Sequence, residues 1–177
     1  MAWLSDFWQS LQSNLQFRLY CGRKRVQHSF DIELSASEAK QLEEWLWLRE
    51  RLKQIPRWFQ GHEQFVEYSL YLKETEYAYG SAHALVALAV SKEKKVRAHC
   101  ALAKVLLSKS AFDRALQELD LISITLEVKL LKAAALMGKG QHGEAREILE
   151  SIPPEKRPND AEMALRYTKG DWKTSGT

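Results

Sequence analysis

Ser108-Lys109-Ser110-Ala111-Phe112 recurs as Gly138-Lys139-Gly140-Gln141-His142, and again, after an equal step, as Thr168-Lys169-Gly170-Asp171-Trp172. In every copy a lysine precedes a small or flexible residue, at the point where an apolar helical pattern breaks. Ala103, Leu106, Leu107, Ala115, Leu119 and Ile122 line up with Ala133, Leu136, Met137, Ala145, Leu149 and Ile152 at the same step. A slightly longer step backward carries Phe112 and Ala115 onto Tyr79 and Ala82. The spacing predicts a unit of helix, turn and helix, with an alanine early in the second helix where two backbones approach closely. Repeated, the unit predicts an all-α protein of about three to four helix pairs.

These marks resemble the tetratricopeptide repeat (TPR). The resemblance covers about residues 62–172. It rests on the small residue of the first helix (Ala103, Ala133), the larger one three further on (Leu106, Leu136), and the turn. The alanine of the second helix (Ala82, Ala115, Ala145) and the prolines near a unit's end (Pro153, Pro154) complete it. The units are shorter than the family's roughly 34 residues. The family's early aromatic is replaced by Val66, His99 and Lys129, and no proline follows the second unit. The resemblance implies a TPR-like α-solenoid, a right-handed array with the helix at about 160–168 as its terminal cap.

Upstream, Ser35-Ala36-Ser37-Glu38 is a capping-box pattern. The helix it opens carries Ala39, Leu42, Trp45, Leu46, Leu48, Leu52 and Ile55 at helical spacing and should end before Pro56. A further helix is expected between Arg57 and about Glu74. Val26, His28, Phe30, Ile32 and Leu34 alternate with polar residues, which reads as one isolated strand. The other alternating stretch, Ile122, Ile124, Leu126 and Val128, is the available partner. Residues 3–19 read as an amphipathic helix, with Leu4, Phe7, Trp8, Leu11, Leu15 and Leu19 on one face. The organisation expected is therefore an amphipathic basic helix over 1–25, an extended segment and capped helix over 26–61, and repeats over 62–177.

Charge is placed unevenly. Arg18, Arg23, Lys24 and Arg25 against Asp6 supply the whole excess of +3, so a neutral body carries a basic N-terminal arm. Trp3, Leu4, Phe7, Trp8, Leu11 and Leu15, with Arg23, Lys24 and Arg25, are the candidate membrane-binding set. Basic residues are worth ~1 kcal/mol each near anionic lipid. The other readings of this helix are packing on the repeats and contact with a partner. The cluster is too thin an electrostatic footprint for nucleic acid to be the expected partner.

With 45% hydrophobic and 28% charged residues the 177-residue chain is globular in composition. Eight Gly and four Pro are too few for a barrel of many short strands. Two Cys exclude a disulfide framework and point to a reducing, cytoplasmic setting, peripheral at a membrane if the arm binds lipid. No apolar run approaches the ~18 residues of a spanning helix.

No reaction is legible. Gly138-Lys139-Gly140-Gln141-His142-Gly143 spells G-x-G-x-x-G, but the preceding Leu130–Met137 is helical material rather than a strand, so the glycines read as the inter-helix turn. His28, His62, His83, His99 and His142 share no metal-ligand spacing with each other or with Cys and read as surface or interface residues. No catalytic residue, metal or cofactor is expected.

The resemblance implies non-catalytic protein–protein interaction, as an adaptor or assembly factor, with a lipid-anchored peripheral adaptor as the alternative. It places the inner face on Gln64, Glu67 and Tyr71, then Arg97, Cys100 and Lys104, then Leu130 and Ala134. That surface runs acidic, basic, apolar. It suits a helical or extended peptide with charges of both signs and an apolar end. Trp47 and Trp58-Phe59, flanking Pro56, are the expected exposed aromatic anchors.

Overall fold

In a computed structural model, residues 36–169 are described; they lie within the compact unit Ala36–Thr177. The amphipathic arm, the alternating stretch over 26–34 and Trp172 fall outside the described residues. Described residues form eight α-helices and no strand: α1 Ala36–Gln54, α2 Phe59–Tyr71, α3 Thr75–Leu88, α4 Lys92–Ser108, α5 Phe112–Asp120, α6 Leu126–Gly138, α7 His142–Glu150 and α8 Asn159–Lys169. A 3-10 turn, Pro154–Lys156, separates α7 from α8. Each helix packs on the next, and α2 touches α4 as α4 touches α6. The first helices of successive pairs thus form a continuous row.

Three turns of one design join the pairs internally. Lys73, Ser110 and Gly140 take positive φ of 58°, 56° and 77°. Each donates its N–H to the carbonyl three positions back, on Leu70, Leu107 and Met137. The next N–H, of Glu74, Ala111 or Gln141, reaches the carbonyl of Ser69, Leu106 or Leu136 at 2.7, 2.8 and 2.9 Å. This pair of hydrogen bonds satisfies the last carbonyls of the first helix and re-aims the chain. Only Gly140 adopts it without a Cβ penalty. Helix starts elsewhere use side chains: Ser91 accepts from Lys94 N–H and Thr125 from Val128 N–H.

The turns correct the register of the first unit. Lys73, Ser110 and Gly140 are corresponding positions, and the step from the first to the second is longer than that from the second to the third. Counted from these turns, the partner of Ala115 and Ala145 is Ala78, not Ala82. Ala82 sits one helical turn further on, where the later pairs place Leu119 and Leu149; all of these side chains are buried. Because Ala78 and Ala82 share a helix face, the apolar pattern looked the same at either alignment. The boundary expected at 61/62 likewise falls inside α2, which packs on α1.

The expected strand partner is a loop and a helix start. Thr125 is the N-cap of α6, and Leu126 and Val128 belong to its first turn, Val128 turned inward. The constant step also fails at α8. Ala161 and Leu165 are buried, while Met163, where the repeat would place the counterpart of Ala133, is 65% exposed. The turn at Pro154–Lys156 delays the helix start and rotates its apolar face.

The recurring lysine acquires a structural reason. Lys109 pairs with Glu76, Lys139 with Asp113 at 2.6 Å, and Lys169 with Glu150 at 3.0 Å. Each of these lysines reaches back to the second helix of the pair before. The hydrogen bond from Lys169 holds the Glu150 carboxyl below the usual range. Such exposed pairs contribute little singly.

Candidate functional site

Gln64, Glu67, Tyr71, Arg97, Lys104, Leu130 and Ala134 lie along the row of first helices, and three corresponding positions in it are Glu67, Lys104 and Ala134. Lys104 Nζ lies 3.1 Å from Glu67 on α2 and 3.1 Å from Glu127 on α6. Burial pulls its pKa down, but the hydrogen bond to Glu127 and the charge of Glu67 outweigh that and hold it above the usual value. Arg97 pairs with Glu63 at 2.5 Å, and its guanidinium lies 5.7 Å from the Phe59 ring centre. The charged part of the face is therefore already paired within the chain. Gln64 and Tyr71 are exposed.

Cys100 departs from the expected face. It is 1% exposed and belongs to the core. Burial, then the charge of Glu127, pushes its thiol up to about 11, with Lys104 opposing. In a Cys21→Ser chain we expect a thiol-alkylating reagent to label Cys100 slowly in the folded state and readily in denaturant. The unfolded thiol ionises near the ordinary 9.0 and the folded one near 11, so stability declines as pH rises through that window. Native labelling as fast as that of the unfolded chain would contradict the burial.

Leu130 and Ala134 lie at an apolar groove of about 280 Å³ between α6 and α8, with Met137 and Ala164 in its walls and Leu149 in its lining. Among the described residues Asp160 is the one charged member of that lining. Reading the sequence by a fixed step missed Asp160 and Ala164, because α8 is out of step. The signal available was a pair of small residues, Ala133 and Ala134, matched by another, Ala161 and Ala164.

The aromatics near Pro56 divide. Trp47, 39% exposed, meets half-buried Trp58 edge to face at 5.9 Å. The Trp58 ring lies over Gly61, where a Cβ would stand only 2.2 Å from it. Phe59 is buried rather than exposed. It starts α2 facing inward.

The histidines also sort by repeat position. Counted from the turns, His62 and His99 occupy corresponding places. His62 Nδ1 lies 3.1 Å from Ser81 Oγ, with Nε2 3.0 Å from the Pro56 carbonyl, and His99 Nδ1 lies 2.8 Å from Glu118. Both link the two helices of their own pair. In the third pair the position is Lys129, which bonds to Ser151. With the register displaced by one helical turn, this correspondence was hidden.

Among the described residues no group of three or more His, Cys, Asp or Glu is placed to hold a metal ion, and no helix is long and apolar enough to cross a membrane. The G-x-G-x-x-G follows helix α6 rather than a strand, and the Phe112 ring packs where a Cβ on Gly138 would stand. That is the geometry of a packed turn, not of a phosphate cradle. Comparison with known proteins finds no matching family model, no matching curated protein and no matching solved structure.

Proposed function

We propose that the helix pairs form a TPR-like solenoid and that the protein is a non-catalytic adaptor or assembly factor that holds a peptide segment of a partner. One observation carries the reading: the row of first helices ends in an apolar groove that the described side chains leave open, while its charged part is already paired. Repeat arrays use such faces because each unit adds surface without needing a new core. Panning a random-peptide phage library on the full chain tests it. We expect enrichment of a related set of peptides that bind as free synthetic peptides. A library that yields no binder would defeat the adaptor reading.

A further inference from the structure

Corresponding positions in successive pairs explain why the groove exists. Between α2 and α6, Lys104 spans the gap and is gripped from both sides by Glu67 and Glu127. One pair on, the corresponding residue is Ala134, whose side chain is a single carbon. Leu130, Ala133, Ala134 and Met137 follow i, i+3, i+4 and i+7 spacing and so share one face of α6. Across the gap stand Ala161 and Ala164 of α8. Two alanine-lined helices separated by a bulkier floor leave a trough rather than a closed seam. Its volume, about 280 Å³, lies at the lower edge of small-molecule pockets, which run from roughly 300 to 1,000 Å³. It has room for one or two aliphatic side chains.

The rim defines the occupant's charge. Asp160 is exposed in the first turn of α8. Arg157, three residues before it, is engaged elsewhere. It bonds to Glu162 and to the carbonyls of Leu149 and Ile152. Asp160 makes no ion pair among the described residues. An apolar trough with a carboxylate at its lip that has no ion-pair partner among the described residues is complementary to an apolar anchor beside a cation.

Resting on the adaptor reading above, we infer that the groove between α6 and α8 takes an aliphatic anchor of a partner protein's peptide segment, and that Asp160 selects a lysine or arginine next to that anchor. The anchor supplies the affinity by burial. The rim carboxylate supplies orientation and choice, and makes binding weaken as salt rises.

The phage-selected peptides provide the probe. They should share an aliphatic pair with an adjacent Lys or Arg, and bind the full chain as synthetic peptides. Ala134→Glu places a carboxylate in the trough and should weaken them by about tenfold or more. Asp160→Lys lies at the surface and leaves the core intact. It should weaken the same peptides and redirect a second panning toward acidic neighbours of the anchor. If both variants bind the selected peptides as the parent does, the groove assignment falls while the adaptor reading stands with its site elsewhere. A concentration-dependent dimer in sedimentation that Ala134→Glu dissolves would overturn the partner in favour of a second copy of the chain. A library that yields no binder removes the inference and the adaptor reading together.

Discussion

Leucine in place of Ala78, Ala115 or Ala145 should lower the thermal midpoint more sharply than any exposed change of similar size. All three alanines are fully buried at the fourth residue of their helices, against the helix that precedes the turn. Three added carbons at a helix crossing force the backbones apart or the side chain off its rotamer. The expected cost is about 1–3 kcal/mol at each site. For a chain of this size, each kcal/mol moves the midpoint by roughly 2–4 °C. Ala78→Leu makes the sharpest test because it depends on the longer step between the first two turns. Were Ala78→Leu, Ala115→Leu and Ala145→Leu all to denature like the parent, the correspondence drawn from the turns would be wrong.

Trp45→Ala should cost still more, about 3–5 kcal/mol. Trp45 is nearly inaccessible, donates its indole N–H to Ser69 at 2.7 Å, stacks on Phe65 at 5.4 Å and meets Tyr77 edge-on at 5.3 Å. It locks α1 onto the first pair. Ser69 occupies the position that holds Leu106 and Leu136 in the later pairs, so the indole fills space that leucine fills elsewhere. Ser69→Ala takes an acceptor away from the buried indole N–H but leaves the ring packed, and should cost less, about 1–3 kcal/mol. Comparable losses for the two variants in urea melts would mean that the ring's packing matters little.

The second and third pairs were legible because the same residues recur at one spacing and both turns carry a lysine before the break. The first pair was misaligned by one helical turn, since Ala78 and Ala82 are both apolar and both buried. A step too short between the first two pairs sets Cys100 level with Glu67 on the open face, although free cysteine is among the most often buried residue types. Helix periodicity fixes a stripe only coarsely, and Cys100 lies where that stripe turns from surface to core. The groove was half legible. Leu130 and Ala134 follow from the repeat. Asp160 and Ala164 depend on how far the turn at Pro154–Lys156 rotates α8, and no spacing rule carries that angle. The charges of Glu67, Arg97 and Lys104 were visible as sequence. Their pairing was not, because it joins residues on neighbouring pairs.

The packing of each helix on its immediate or next neighbour in the chain has a kinetic consequence. Even the hydrogen bond from Lys104 to Glu67 spans only 37 positions. Closing loops that short costs little entropy, and folding rates rise as contacts become local. A helix pair of this protein therefore has its contacts within reach as soon as the following helix has been synthesised. No helix pair of the described part needs a distant segment to return before its own contacts can close.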